Sequence, residues 1–249
     1  MIVLDCESRD STLASLADIF DADATELDAY LRALDLEAHY CATQPLHSGE
    51  TELFHLVRAK FGKRKQIDRV CWFHLTRTHP TIDFRDGIQP LSVARPRVWD
   101  TIIEAFRNIQ HEDRLKRMRR EGVGDFQYVL KASDPIHAGP YDFLVREGAF
   151  HASRNSNHDY LGLPETMEDI CNGYLDKHGE RLYDDLKSAL SPMIVKFWSE
   201  YEYGLETALH YLYVKATDRT DGFIPNTCYD GDNQAVPAER VLGVERVRQ

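Results

Sequence analysis

The run DRVCWFHLT, residues 68–76, is the feature that most limits what this chain can become. Valine, tryptophan, phenylalanine and leucine at this density favour a pleated, half-buried strand over a helix. Yet His74 sits inside the apolar run, and polar residues follow it at once. Side chains alternate along a strand, so His74 and Thr76 share one face and can reach one ligand. The competing role for His74 is a core histidine whose ring nitrogens are satisfied internally.

Helical patterns surround this strand. STLASLADIFDADATELDAYLRAL, 11–34, reads as two short amphipathic helices, with Leu13, Leu16, Ala17 and Phe20 at helical spacing and then Leu27, Tyr30, Leu31 and Leu34. Ser11 and Thr25 are the expected N-caps. Further helices are expected at 49–62, 95–109, on to about Arg120, from Pro164, at 181–190 and at 205–216. Between Pro80 and Gly87 a short helical turn is expected to hold Ile82 and Phe84. Strands are expected at 141–147, 192–198 and around Val241 to Val247. Few strands scattered among many helices make an α+β fold.

Charge divides the chain. Residues 1–56 carry twelve acids against Arg9 and Arg32, nearly the whole net charge of −11. This suggests an acidic helical N-terminal region, 1–56, ahead of a nearly neutral α+β domain, 57–249. Two basic clusters, RAKFGKRK at 58–65 and RLKRMRR at 114–120, read either as solvated helix faces or as a groove for an anion. The acidic segment would also be able to dock onto them and shield them. Its helix pair would be repelled by phosphates, which argues against DNA reading there.

The five cysteines lie far apart and form no CxxC pair, which argues against a zinc site or a disulfide framework. No apolar run approaches the roughly 20 residues of a membrane span. Reduced thiols and the lack of a signal-like N-terminus make a cytoplasmic protein the expectation. GxGxxG, GxxxxGK[ST], GxSxG and HExxH are all missing from the sequence. Two imidazoles and a carboxylate from His74, His79 and Asp83, or from His151, His158 and Asp159, would suit a metal-dependent hydrolase, but no regular ligand spacing supports it.

The stretch FHLTR…FRDGIQPL resembles the first motif of ADP-ribosyltransferase folds, a strand carrying His-x-Thr, a short helix and then Gly-Ile or Gly-Leu. The resemblance implies that His74 and Thr76 hold the adenosine ribose of NAD, the substrate, and that Gly87-Ile88 closes the short helix. GDNQAVPAERVLGVERV, 231–247, is similar to the last strand pair of the same fold, where a catalytic glutamate precedes the strand. Here the aligned position is Gln234, with Asp230 and Asp232 just before it. Glutamine supplies no negative charge to an oxocarbenium-like transition state, a departure from the family pattern. The family also places an aromatic residue against nicotinamide. Tyr160 is the first choice for it and Tyr141 the second.

Together these implications describe an enzyme that moves ADP-ribose from NAD to a macromolecular acceptor, protein or nucleic acid. Toxins and phage-defence effectors share this fold, and with that context comes an inhibitory partner. The alternative is a non-catalytic nucleotide- or partner-binding protein of the same fold, which the glutamine at 234 favours.

Overall fold

A computed structural model describes residues 1–133, 139–152, 154, 157–218 and 223–248. The chain is mixed helix and sheet, as its pattern requires. After a two-residue strand β1 (Val3–Leu4) come helices α1 (Arg9–Phe20), α2 (Ala24–Ala33), α3 (Leu36–Thr43) and α4 (Gly49–Phe61). The His74 strand is β2 (Arg69–Thr78), followed by α5 (Leu91–Ala105), α6 (His111–Glu121) and α7 (Phe126–Ser133). The remainder runs β3 (Tyr141–Phe143), α8 (Glu165–His178), α9 (Tyr183–Ala189), β4 (Ser191–Ser199), α10 (Leu205–Thr217), β5 (Cys228–Asp230) and β6 (Val241–Arg246).

The strand order is β5-β3-β2-β4-β6, with β1 added to β2. Phe73 pairs antiparallel with Phe143, and Met193 with Arg246, while β1 lies parallel to β2 at Val3↔Arg69. Among the described residues, no helix is long and apolar enough to cross a membrane.

The chain gathers into two compact units. The first comprises Met1–Phe73, Phe143–Asn157 and Trp198–Cys228. Its helices α1, α2, α4 and α10 pack around Leu16, Phe20, Leu27, Leu31, Leu53 and Leu209, all fully or almost fully buried. The acidic segment 1–56 therefore supplies core residues here. It also meets the first basic cluster, since Glu26 pairs with Lys60 at 3.0 Å and Asp21 pairs with Lys65. Two of that cluster's five cations are paired in this way, both at exposed positions.

Two caps differ from expectation. Ser8, not Ser11, caps α1, because Ser8 and Ser11 exchange side-chain bonds to each other's backbone N–H. Asp23, not Thr25, caps α2, its carboxylate accepting from the N–H groups of Thr25 and Glu26.

Helix α3 has no buried residue of its own. His39 on it and His47 beyond it both bond the Glu52 carboxylate, each at 2.6 Å. Those two bonds, His47 first, hold the Glu52 carboxyl below its usual range. A lowered carboxylate pKa stabilises above the ordinary value, about 4.3, and that contribution is lost as pH falls through the folded value. Amide exchange in α3 is expected to accelerate when acid protonates Glu52. Glu52→Gln is expected to loosen α3 at neutral pH as well. Equal protection of α3 in both proteins from pH 7 to pH 3 would remove this tether.

The second unit comprises His74–Asp142, His158–Phe197 and Tyr229–Gln249. Its core gathers Trp99, Ile102, Phe106, Leu115, Met118, Ile170, Tyr174 and Leu186. Helix α6 carries the second basic cluster, and Gly122 ends it at φ +98. That cluster is largely paired: Arg114 with Glu180, Lys116 with Glu112 and Arg119 with Asp100. Pairing of this kind fits a solvated helix face better than an anion groove.

Candidate functional site

All residues of the candidate site belong to the second unit. Alternation along β2 leaves His74, Thr76 and Thr78 half-buried, while Phe73, Leu75 and Arg77 are buried. His74, Thr76 and Thr78 line a cavity of about 260 Å³, together with the segment Thr81–Gln89 and residues of α5. That is near the lower end for small-molecule sites, about 300–1,000 Å³. The volume is nucleoside-sized, and the cleft is open to solvent, so a larger ligand can extend out of it.

The short helix expected between Pro80 and Gly87 is a pair of turns instead. Phe84 and Gly87 both have positive φ, at 56° and 74°, which a right-handed helix does not admit. The Gly87 N–H still closes a turn onto the Phe84 carbonyl at 2.9 Å. The Phe84 ring lies edge-on to His74, with centroids 6.5 Å apart.

Gly87-Ile88 does more than close that turn. Ile88 and Val236 exchange two backbone hydrogen bonds, each 2.9 Å. Ser92 adds a side-chain bond to Asn233 at 2.6 Å. The two motifs read from the sequence are thereby joined, the cavity wall of the first lying against residues 233–236 of the second.

The proposed catalytic residues stand at that junction with differing prospects. Gln234 is exposed, and its N–H donates to the Gly231 carbonyl at 2.8 Å. Asp232 is exposed and holds a positive φ of 49°, while Asp230 accepts the Asp232 N–H at 2.9 Å. Neither Gln234 nor Asp232 is among the described residues that line the cavity.

Tyr160 is not among those lining residues either. Its hydroxyl donates to Glu165 at 3.0 Å, and Lys131 links Glu165 to Asp169 at 2.9 and 2.8 Å. Burial works against the Lys131 ammonium, but its bonds to Asp169 and Glu165 prevail and hold its pKa up. Tyr160 thus joins a network at the start of α8, where Pro164 is the N-cap rather than the first helical residue. Tyr141, the second choice, is exposed on β3.

Nor do the described histidines gather into a metal site. Among the described residues, no group of three or more His, Cys, Asp or Glu is placed to hold an ion. His79 Nδ1 bonds Thr81 Oγ1 at 2.8 Å, His158 Nε2 bonds the Leu163 carbonyl at 2.6 Å, and Asp159 accepts the Gly162 N–H.

Two residues missed from sequence complete the site. The first is Asp142 on β3, fully buried, with Oδ1 2.6 Å from His74 Nδ1. Burial pushes the Asp142 carboxyl up, and His74 pulls against that shift. The nearby Tyr229 hydroxyl is also pushed up, by burial first and by the charge of Asp142 second. The second is Arg77, 1% exposed, which burial makes less basic. Each is a titratable residue within a strand, as His74 is, but the partners that bury it lie far along the chain. The remaining cavity charges cancel, Arg85 on Asp83 at 2.6 Å and Arg97 on Asp86 at 3.1 Å.

No known protein family, no curated protein and no solved structure matches the chain.

Proposed function

We propose that the chain is an ADP-ribosyltransferase-like enzyme that binds NAD and transfers ADP-ribose to a macromolecular acceptor, releasing nicotinamide. The observation that carries the reading is the junction of its two motifs. His74 and Thr76 face one cavity, and the Gly87-Ile88 wall of that cavity pairs with Val236. His74 and Thr76 hold the adenosine ribose in the nucleoside-sized space. Gln234 contacts a second ribose hydroxyl, and Asp232 supplies the carboxylate that faces the developing positive charge. Tyr160 has a weaker claim, since the Glu165 network already engages its hydroxyl.

Titration with NAD or ADP-ribose tests the binding step. A well-placed hydrogen bond contributes about 0.5–1.5 kcal/mol, so His74→Ala is expected to weaken binding about two- to tenfold. Equal affinity in both proteins would remove His74 from the site. Incubation with labelled NAD and cell lysate tests transfer through release of nicotinamide and labelling of a macromolecule. Binding without turnover would instead support a non-catalytic nucleotide-binding protein, the reading favoured by a glutamine at 234.

A further inference from the structure

We propose that Asp142 is a positioning residue that fixes His74 as the Nδ1-protonated tautomer, so that Nε2 meets the cavity as a hydrogen-bond acceptor and selects a ligand hydroxyl. The identity of the ligand rests on the NAD reading above; the tautomer does not.

Burying a carboxylate is costly unless its oxygens are well bonded. Asp142 is fully buried, and its Oδ1 lies 2.6 Å from His74 Nδ1. Its other oxygen, Oδ2, has no hydrogen-bond partner among the described residues. Among the described residues the carboxylate neither caps a helix nor closes a turn. The fold tolerates an under-satisfied acid on β3, and what it gains there is control of one imidazole.

That control has a definite sign. An ionised carboxylate only accepts, so the proton of the shared bond belongs to Nδ1. In a neutral imidazole the other nitrogen then carries a lone pair. His74 Nε2 therefore accepts a hydrogen bond at the cavity. A ribose hydroxyl can donate to it, whereas phosphate and carboxylate oxygens cannot and would be repelled. Thr76, on the same strand face, has a hydroxyl that serves as donor or acceptor. The His74–Thr76 wall of the cavity is thus built for the sugar edge of a nucleotide. The opposite arrangement, a protonated Asp142 with Nε2–H facing the cavity, would favour an anion there.

Nitrogen-15 NMR of histidine-labelled protein near pH 8, assigned with His74→Gln, reads the tautomer directly. The expected spectrum has His74 protonated on Nδ1 and bare on Nε2. A proton on Nε2, alone or in a doubly protonated ring, would overturn the proposal. In Asp142→Asn the amide can donate to Nδ1, so the tautomer is expected to invert and ADP-ribose affinity to fall about two- to tenfold. Asp142→Leu can neither accept from Nδ1 nor donate to it, so an unchanged tautomer in a folded Asp142→Leu protein would equally overturn it. If that variant does not fold, the wild-type spectrum still decides. The expected tautomer in a protein that ignores ADP-ribose would uphold the role of Asp142 and sink the NAD reading alone.

Discussion

Arg77→Ala is expected to lower the free energy of unfolding by about 3–5 kcal/mol. Arg77 continues the buried face of β2 beyond Phe73 and Leu75. Its guanidinium donates to three backbone carbonyls of the second unit: Leu161 at 2.8 Å, Leu190 at 3.0 Å, and Lys187. Each buried carbonyl left without a donor costs about 1–3 kcal/mol, offset where water can enter. The deleted side chain also leaves a void. Lysine would not rescue the site, because a single ammonium lacks the flat fork that reaches three acceptors. Urea denaturation measures the effect as a shifted midpoint at unchanged slope. Arg77→Met keeps most of the volume, so a comparable loss there would assign the cost to the carbonyls. A change within about 0.5 kcal/mol for Arg77→Ala, the range of ordinary surface substitutions, would refute the account.

Arg77 also shows where reading the sequence stops. The pattern of β2 was legible because branched and aromatic residues crowd it, and period two placed His74 and Thr76 on one face. The same rule puts Arg77 with Phe73 and Leu75, but an arginine at the end of an apolar run reads as its exit to solvent. Its acceptors come from residues 161, 187 and 190, far along the chain, and no local pattern announces them. The link from His74 to Asp142 spans 68 residues and is equally non-local.

Longer helices such as α1, α4, α8 and α10 were visible because each presents an apolar stripe to a core. Of the short elements, α9 and β3 fall where a helix and a strand were expected, but α3, α7, β1 and β5 do not. Helix α3 buries nothing, and α7 leaves Phe126, Val129 and Leu130 exposed, so neither gives a core-facing stripe to read. Strands β1 and β5, of two and three residues, exist through their pairing rather than their composition. The turns at 80–87 misread as a helix for a related reason. Positive φ at Phe84, a residue that rarely adopts it, is imposed by tertiary context.

Gly87→Ala is the second large effect, and it acts on the junction itself. Gly87 has φ +74, a region that costs an L-residue roughly 1–2 kcal/mol. A Cβ there would also overlap the Val236 carbonyl oxygen, with Pro237 C and Ala238 N each at 3.0 Å. These are backbone atoms and cannot swing aside like the end of a flexible side chain. Relief requires the 84–88 turn and the 233–238 segment to part, which breaks both Ile88–Val236 hydrogen bonds at about 1 kcal/mol each. The total is about 3–4 kcal/mol, concentrated where the two motifs meet. Amide exchange at Ile88 and Val236 is therefore expected to accelerate far more than in the helical core around Ile102 and Ile170. Gly49→Ala serves as the control, since a Cβ at Gly49 meets nothing within 4 Å. On the NAD reading, Gly87→Ala also weakens nucleotide binding although residue 87 need not touch the ligand with a side chain. Unchanged exchange at Ile88 and Val236 would mean that the close approach of the two backbones does not hold in solution.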